Sequence, residues 1–135
     1  MNVYLLDTSI ASVAIRGDSA LDKRLSALPR TDWCISAITR SELRYGVALR
    51  PQATRLSRIV EAFLAVARCE PWDAGCADAH GRLRASLARK GQRIGDFDEM
   101  IAAHALALRA ILVTDNVRHF RRVDRLSVEN WLRER

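Results

Sequence analysis

A chain of 135 residues and 15.2 kDa has room for one hydrophobic core, not two. Its 49% apolar content supplies that core, and its 28% charged content is spread too evenly for a disordered tail. Lys and Arg number 22 against 16 for Asp and Glu, a net charge of +6, and 20 of the 22 cations are Arg; a guanidinium forks onto phosphate oxygens, so the bias suits a polyanionic partner as well as plain solubility.

Val3 to Leu6 is a short all-apolar run that stops at Asp7, the pattern of a parallel strand covered on both faces. Ile10, Val13 and Ala14 then recur at helical spacing until Gly17, and Leu21, Leu25 and Leu28 share a face of a second helix before Pro29. Trp33 to Thr39 reads as the second strand, with helical periodicity resuming at Ser41-Glu42-Leu43 and ending at Arg50-Pro51. Leu56, Ile59, Val60, Phe63, Leu64 and Ala67 mark a long amphipathic helix, and Cys69 to Trp72 a poor third strand limited by its proline.

Ala77, His80, Leu83 and Leu87 share a face of the next helix, which precedes the loop GQRIG. From Asp96 the sequence DFDEMIAAHALALRA favours a well-buried helix whose small residues allow close packing on a sheet. Ile111 to Thr114 is a fourth strand ending at Asp115-Asn116, and Leu126 to Val128 a fifth before Trp131. The order βααβααβααβ(α)β predicts an α/β fold: one three-layer α/β/α domain over residues 1–135, with about five mainly parallel strands and helices on both faces.

Cys34, Cys69 and Cys76 form no CxxC pair, and MNVYLLDTS carries no basic-then-apolar signal region, so a reducing cytoplasm is expected. No stretch approaches the roughly 18 apolar residues of a membrane span. GxxxxGK[ST], GxGxxG and GxSxG are all absent, which removes the main support for phosphate-loop hydrolysis, dinucleotide binding and a hydrolase elbow. His80, His104 and His119 read as core or surface residues.

In a parallel sheet every strand ends on the same edge, where residues just past the strands gather. Asp7 ends the first strand, Glu42 is expected in the first helical turn after the second, Asp98 opens the helix before the fourth, and Asp115 ends the fourth. Singly these acids could be helix caps or turn residues, as could Asp96, itself a good N-cap. Together they would repel and raise one another's pKa unless a cation sits among them. Oxygen ligands without His or Cys favour Mg²⁺ or Mn²⁺, and such an ion keeps waters that can act as nucleophile. Arg118, Arg121, Arg122 and Arg125 follow Asp115 and could hold phosphates beside the acids.

Five segments, YLLDTSI (4–10), ISAITRSELRYG (35–46), IGDFDEMIAAHALA (94–107), LVTDNVRHF (112–120) and LSVENW (126–131), come in an order and spacing that resembles the PIN-domain ribonucleases, specifically the toxin half of VapBC-type bacterial toxin–antitoxin pairs. That resemblance implies a Mg²⁺-dependent endoribonuclease, with Asp7, Glu42 and Asp98 in the main acidic positions and Asp7 and Asp98 as direct metal ligands. Either Asp115 or Asn116 takes the fourth position, while Thr8, Ser9 and Thr114, with Asp96, support the pocket. Water deprotonated with help from Glu42 or Asp115 would attack phosphorus in line, leaving 5′-phosphate and 3′-hydroxyl ends. The resemblance further implies a cytoplasmic bacterial protein, homodimeric and assembled with a VapB-type antitoxin that inhibits it and alone contacts operator DNA. The alternative is a non-toxin nuclease or an RNA-binding module of the same fold.

Overall fold

The computed structural model describes residues 2–133; Met1, Glu134 and Arg135, the ends of the expected 1–135 unit, lie outside the described residues. Five strands form one parallel sheet: β1 (Tyr4–Leu6), β2 (Trp33–Ser36), β3 (Cys69–Glu70), β4 (Ile111–Val113) and β5 (Val128–Glu129), in the order β3-β2-β1-β4-β5. Between them run α1 (Thr8–Arg16), α2 (Ser19–Ser26), α3 (Ala37–Ala48), α4 (Thr54–Val66), α5 (Ala74–Arg89), α6 (Asp96–Leu108) and α7 (Val117–Phe120). β1, β2 and β4 are thus the central strands, as convergence of the acids requires.

Register explains the two cores. Leu5 lies beside Cys34 and Leu112, and this row packs with Leu83, Leu87, Ile101 and Phe120 under α5 and α6. Leu6 lies beside Ile35 and Val113, and that row packs with Ile10, Leu21, Val60 and Leu64 under α1, α2 and α4. Because strand side chains alternate between faces, an all-apolar run feeds both cores. In α6 every residue from Ile101 to Ala105 is buried, and three of the five are alanines that let the helix lie close.

The structure differs from the sequence expectation at four points. β2 stops at Ser36 instead of continuing to Thr39, because the Ser36 hydroxyl caps α3 by accepting from the Ile38 N–H at 3.0 Å. Glu42 therefore lies in the second turn of α3, not the first. Short apolar runs carry no period that separates a buried strand from a buried helix start. On α5 the buried stripe is Cys76, Ala79, Leu83 and Leu87, with Ala77 exposed and His80 half-buried. Asp96 is not the N-cap of α6 but its first residue; the cap is Gly95, at φ +110°, a conformation that side chains rarely adopt.

Candidate active site

Asp7 is both a helix cap and a site residue. Its Oδ1 accepts from the Ile10 N–H at 3.0 Å, capping α1, and from the Ser9 hydroxyl at 2.6 Å, while its Oδ2 accepts from Thr114. A carboxylate offers about four acceptor positions. Three are used here, which fixes the group and leaves one lone pair. Asp7 is 4% exposed, and burial pushes its carboxyl up despite the bonds from Ser9, Thr114 and Ile10. The cap and the site reading, which compete in the sequence, describe the same side chain.

Glu42 reaches the same edge from α3. Its Oε1 accepts from the Thr8 hydroxyl at 2.6 Å, and Thr8 in turn meets the hydroxyl of buried Thr39 at 3.0 Å. Asp98, in the first turn of α6, is half-buried and completes the group. Burial first, then the charges of Asp7 and Glu42, lift its carboxyl from 3.8 to about 6, with His119 opposing. The charges of Asp7 and Glu42 thus act on Asp98 from two other chain segments, which brings three carboxylates to one edge of the sheet.

Asp115 behaves differently. It is exposed, and its Oδ1 accepts from Asn130 Nδ2 at 3.1 Å and pairs with Arg133 at 3.5 Å. Its backbone N–H donates to the Ser9 hydroxyl at 3.3 Å, so it closes the rim through its main chain. Asn116 sits between site and support: its N–H donates to Thr114, and its side-chain amide meets Nδ1 of His119 at 2.7 Å. Asp96 points to Arg93 at 2.6 Å and is 75% exposed, so it steadies the loop before α6 without entering the pocket.

Several residues the sequence left unmarked support this edge. Glu99, with no exposed surface, accepts from Arg93 Nε at 3.0 Å and Nη2 at 2.7 Å and from the Ile94 N–H at 3.1 Å, which fastens the loop GQRIG to the helix turn carrying Asp98. The available signal was an arginine just ahead of a helix that opens on three acids. His104 is buried and meets the Ser36 hydroxyl at 2.7 Å, in keeping with a core histidine. Of the four arginines after Asp115, Arg122 and Arg125 line a separate groove, and Arg122 Nη1 also donates to the Arg93 carbonyl at 3.3 Å.

Among the described residues no three acidic, imidazole or thiol side chains stand close enough to cage a metal ion by themselves. The donor chemistry nevertheless fits a hard divalent cation. Such ions are commonly held by one or two carboxylates plus waters, and the free lone pair of Asp7 and the unbonded, repelled carboxyl of Asp98 are donors of that kind.

The PIN domain family matches residues 4–126. The chain is 37% identical over 128 residues to the tRNA(fMet)-specific endonuclease VapC of Shigella flexneri, covering 95% of this chain and 97% of that one. It is 35% identical over 131 residues to Ribonuclease VapC2 of Rickettsia felis, covering 96% and 98%. The chain belongs to the PIN-domain VapC family. Solved family structures superpose closely on this one. DNA-bound VapBC from Salmonella typhimurium gives a TM-score of 0.90 at 34% identity over 97% of this chain and 99% of that one. VapBC2 from R. felis bound to a promoter DNA fragment gives 0.89 at 34% identity over 96% and 98%. In this VapC-family fold the sheet edge bearing Asp7, Glu42 and Asp98 is the candidate catalytic face.

Proposed function

We propose that this VapC-family protein is a divalent-metal-dependent endoribonuclease, the toxin of a toxin–antitoxin pair. The observation that carries this reading is the gathering of Asp7, Glu42 and Asp98 at one sheet edge, where burial first and then the charges of Asp7 and Glu42 lift Asp98 to about 6. Asp7 and Asp98 would hold Mg²⁺ or Mn²⁺. When bound, the ion would supply positive charge against the phosphoryl oxygens and acidify the attacking water. Glu42, oriented by Thr8, would serve as the base for the attacking water. Thr114 and Ser9 keep Asp7 aimed and offset part of the upward push of burial on its carboxyl, and the arginine-rich surface draws in the RNA backbone.

Labelled RNA incubated with the protein is expected to be cut in Mg²⁺, spared in EDTA and cut again when Mg²⁺ is restored in excess, leaving 5′-phosphate and 3′-hydroxyl ends. RNA that is bound but intact in Mg²⁺ would instead identify a binding module. Because Asp115 is turned to Asn130 and Arg133, Asp115→Asn should keep the cleavage rate within about threefold, whereas Asp7→Asn should lose about a thousandfold. Comparable losses in the two variants would return Asp115 to the catalytic group.

The partner reading is a VapB-type antitoxin, through which operator DNA would be met. An apolar groove of about 780 Å³ between α1, α2 and α4, lined by Ile15, Leu25, Leu28, Phe63 and Val66, offers it an apolar helix face to cover. Tyr45, exposed on α3, and Leu49, exposed at its C-terminal cap, are the apolar patch we assign to a homodimer contact. Among the described residues no helix is long and apolar enough to cross a membrane.

A further inference from the structure

A groove of about 940 Å³ opens between α5, the C-terminal end of α6 and the segment 122–127. It reaches Asn2, Ala110 and Ile111 at the starting ends of β1 and β4, and none of the candidate site residues lines it. Five residues of extended chain separate Asn2 from Asp7, so the groove lies roughly 16 Å from the acids. Four arginines line it: Arg82, Arg109, Arg122 and Arg125. The single acid in the lining, Asp124, is engaged by Lys90 at 3.2 Å from outside the groove. None of the four arginines forms an ion pair among the described residues.

The backbone supplies an independent observation. The two non-glycine residues at positive φ among those described are Arg109 (φ 54°) and Arg125 (φ 66°), and both belong to this groove. Glycine is favoured in that conformation, and Arg109 stands at the end of α6, where a left-handed glycine is the usual choice. A chain that holds arginines in left-handed backbone and aims both at one uncompensated basic groove is accepting local strain to keep those side chains there.

We propose that this groove is a second phosphate-binding site, which takes the backbone of a folded RNA at a distance from the bonds that are cut. It rests on RNA being the substrate. Guanidinium forks fit phosphate oxygens bidentately and carry no sequence information, so the site adds affinity and orientation for large substrates. A short oligonucleotide that fills only the acidic face does not reach it.

The test compares wild type with R82Q/R125Q, using bulk transfer RNA and a hexaribonucleotide as probes. The double variant is expected to bind transfer RNA about tenfold more weakly at low salt, with a slope of log affinity against log salt shallower by about 1.5, while cutting the hexanucleotide at the wild-type rate. R125G guards against misfolding: it relieves the strained backbone, so it should melt no lower than wild type and still bind transfer RNA more weakly. Unchanged transfer RNA affinity and salt slope in both variants would overturn the site. Failure of wild type to cut either RNA in Mg²⁺ would overturn the nuclease reading instead, and leaves the binding comparison intact.

Discussion

Asp98→Asn is expected to abolish RNA cleavage, by about a thousandfold, and at the same time to make the metal-free protein more stable at pH 7.5. The sign follows from the direction of the shift. Asp98 titrates at about 6 in the fold against 3.8 as its ordinary value, so between those two pH values the folded protein binds more protons than the unfolded chain. Stability from this group is therefore undiminished below about pH 4, falls as pH rises through the window, and its full cost is present above about pH 6. A rise from 3.8 to about 6 corresponds to about 3 kcal/mol; water reaches part of the side chain and screens it, so we expect about 1–2 kcal/mol. The variant should melt about 5 °C above wild type at pH 7.5, and the gap should close near pH 4. Adding Mg²⁺ should raise the melting temperature of wild type and do little for the variant. Calorimetry at several pH values with and without Mg²⁺ checks all three statements, and a variant that melts lower than wild type at pH 7.5 would contradict the crowded-carboxylate account.

The second large effect belongs to the clamp behind Asp98. Burial would raise the Glu99 carboxyl, but the hydrogen bonds from Arg93 and the Ile94 N–H outweigh it and hold the group below its ordinary value. Removing the guanidinium leaves a carboxylate with no exposed surface and only one backbone donor. Unmatched buried charge is among the few defects that unfold small domains. Since Arg93 is itself 38% exposed and its outer face is screened, Arg93→Ala should lower the melting temperature by about 5 °C, not the larger drop of a fully buried pair. In a Glu99→Gln background the same substitution should cost much less, because no charge is then stranded. Glu99 adjoins Asp98, so Arg93→Ala should also raise severalfold the Mg²⁺ concentration that gives half-maximal cleavage. Equal melting losses in both backgrounds would show that the two side chains are not coupled.

The two effects oppose each other in kind. Asp98 is held in its charged form at a cost, whereas Glu99 is held in its charged form by its partners. Adjacent acids on one helix turn thus differ in role: Asp98 is left without a hydrogen-bond partner among the described residues, while Glu99 anchors the turn that presents it. A site that destabilises its own fold until it is filled is a common cost of function.

The sequence by itself determined the strand–helix order, the all-apolar character of β1 and β4, and the placement of Asp7 and Asp98 at element boundaries. Those features are local: strand and helix periods, breakers at Gly17 and Pro51, and caps can be seen within a few residues. It also marked the excess of arginine, though not where it is spent. The end of β2 and the turn on which Glu42 sits depended on the Ser36 hydroxyl taking a backbone N–H, and the cap of α6 on the positive φ of Gly95, which no apolar pattern records. Only the tertiary structure separated Asp115, drawn off by Asn130 and Arg133, from the carboxylates that face one another. It alone joined Arg93 to Glu99 and gathered Arg82, Arg109, Arg122 and Arg125 around one groove. Such pairings are set by which helices cross which strands, and a charged side chain has no periodic signature that says whether its partner is water, a carboxylate or a phosphate.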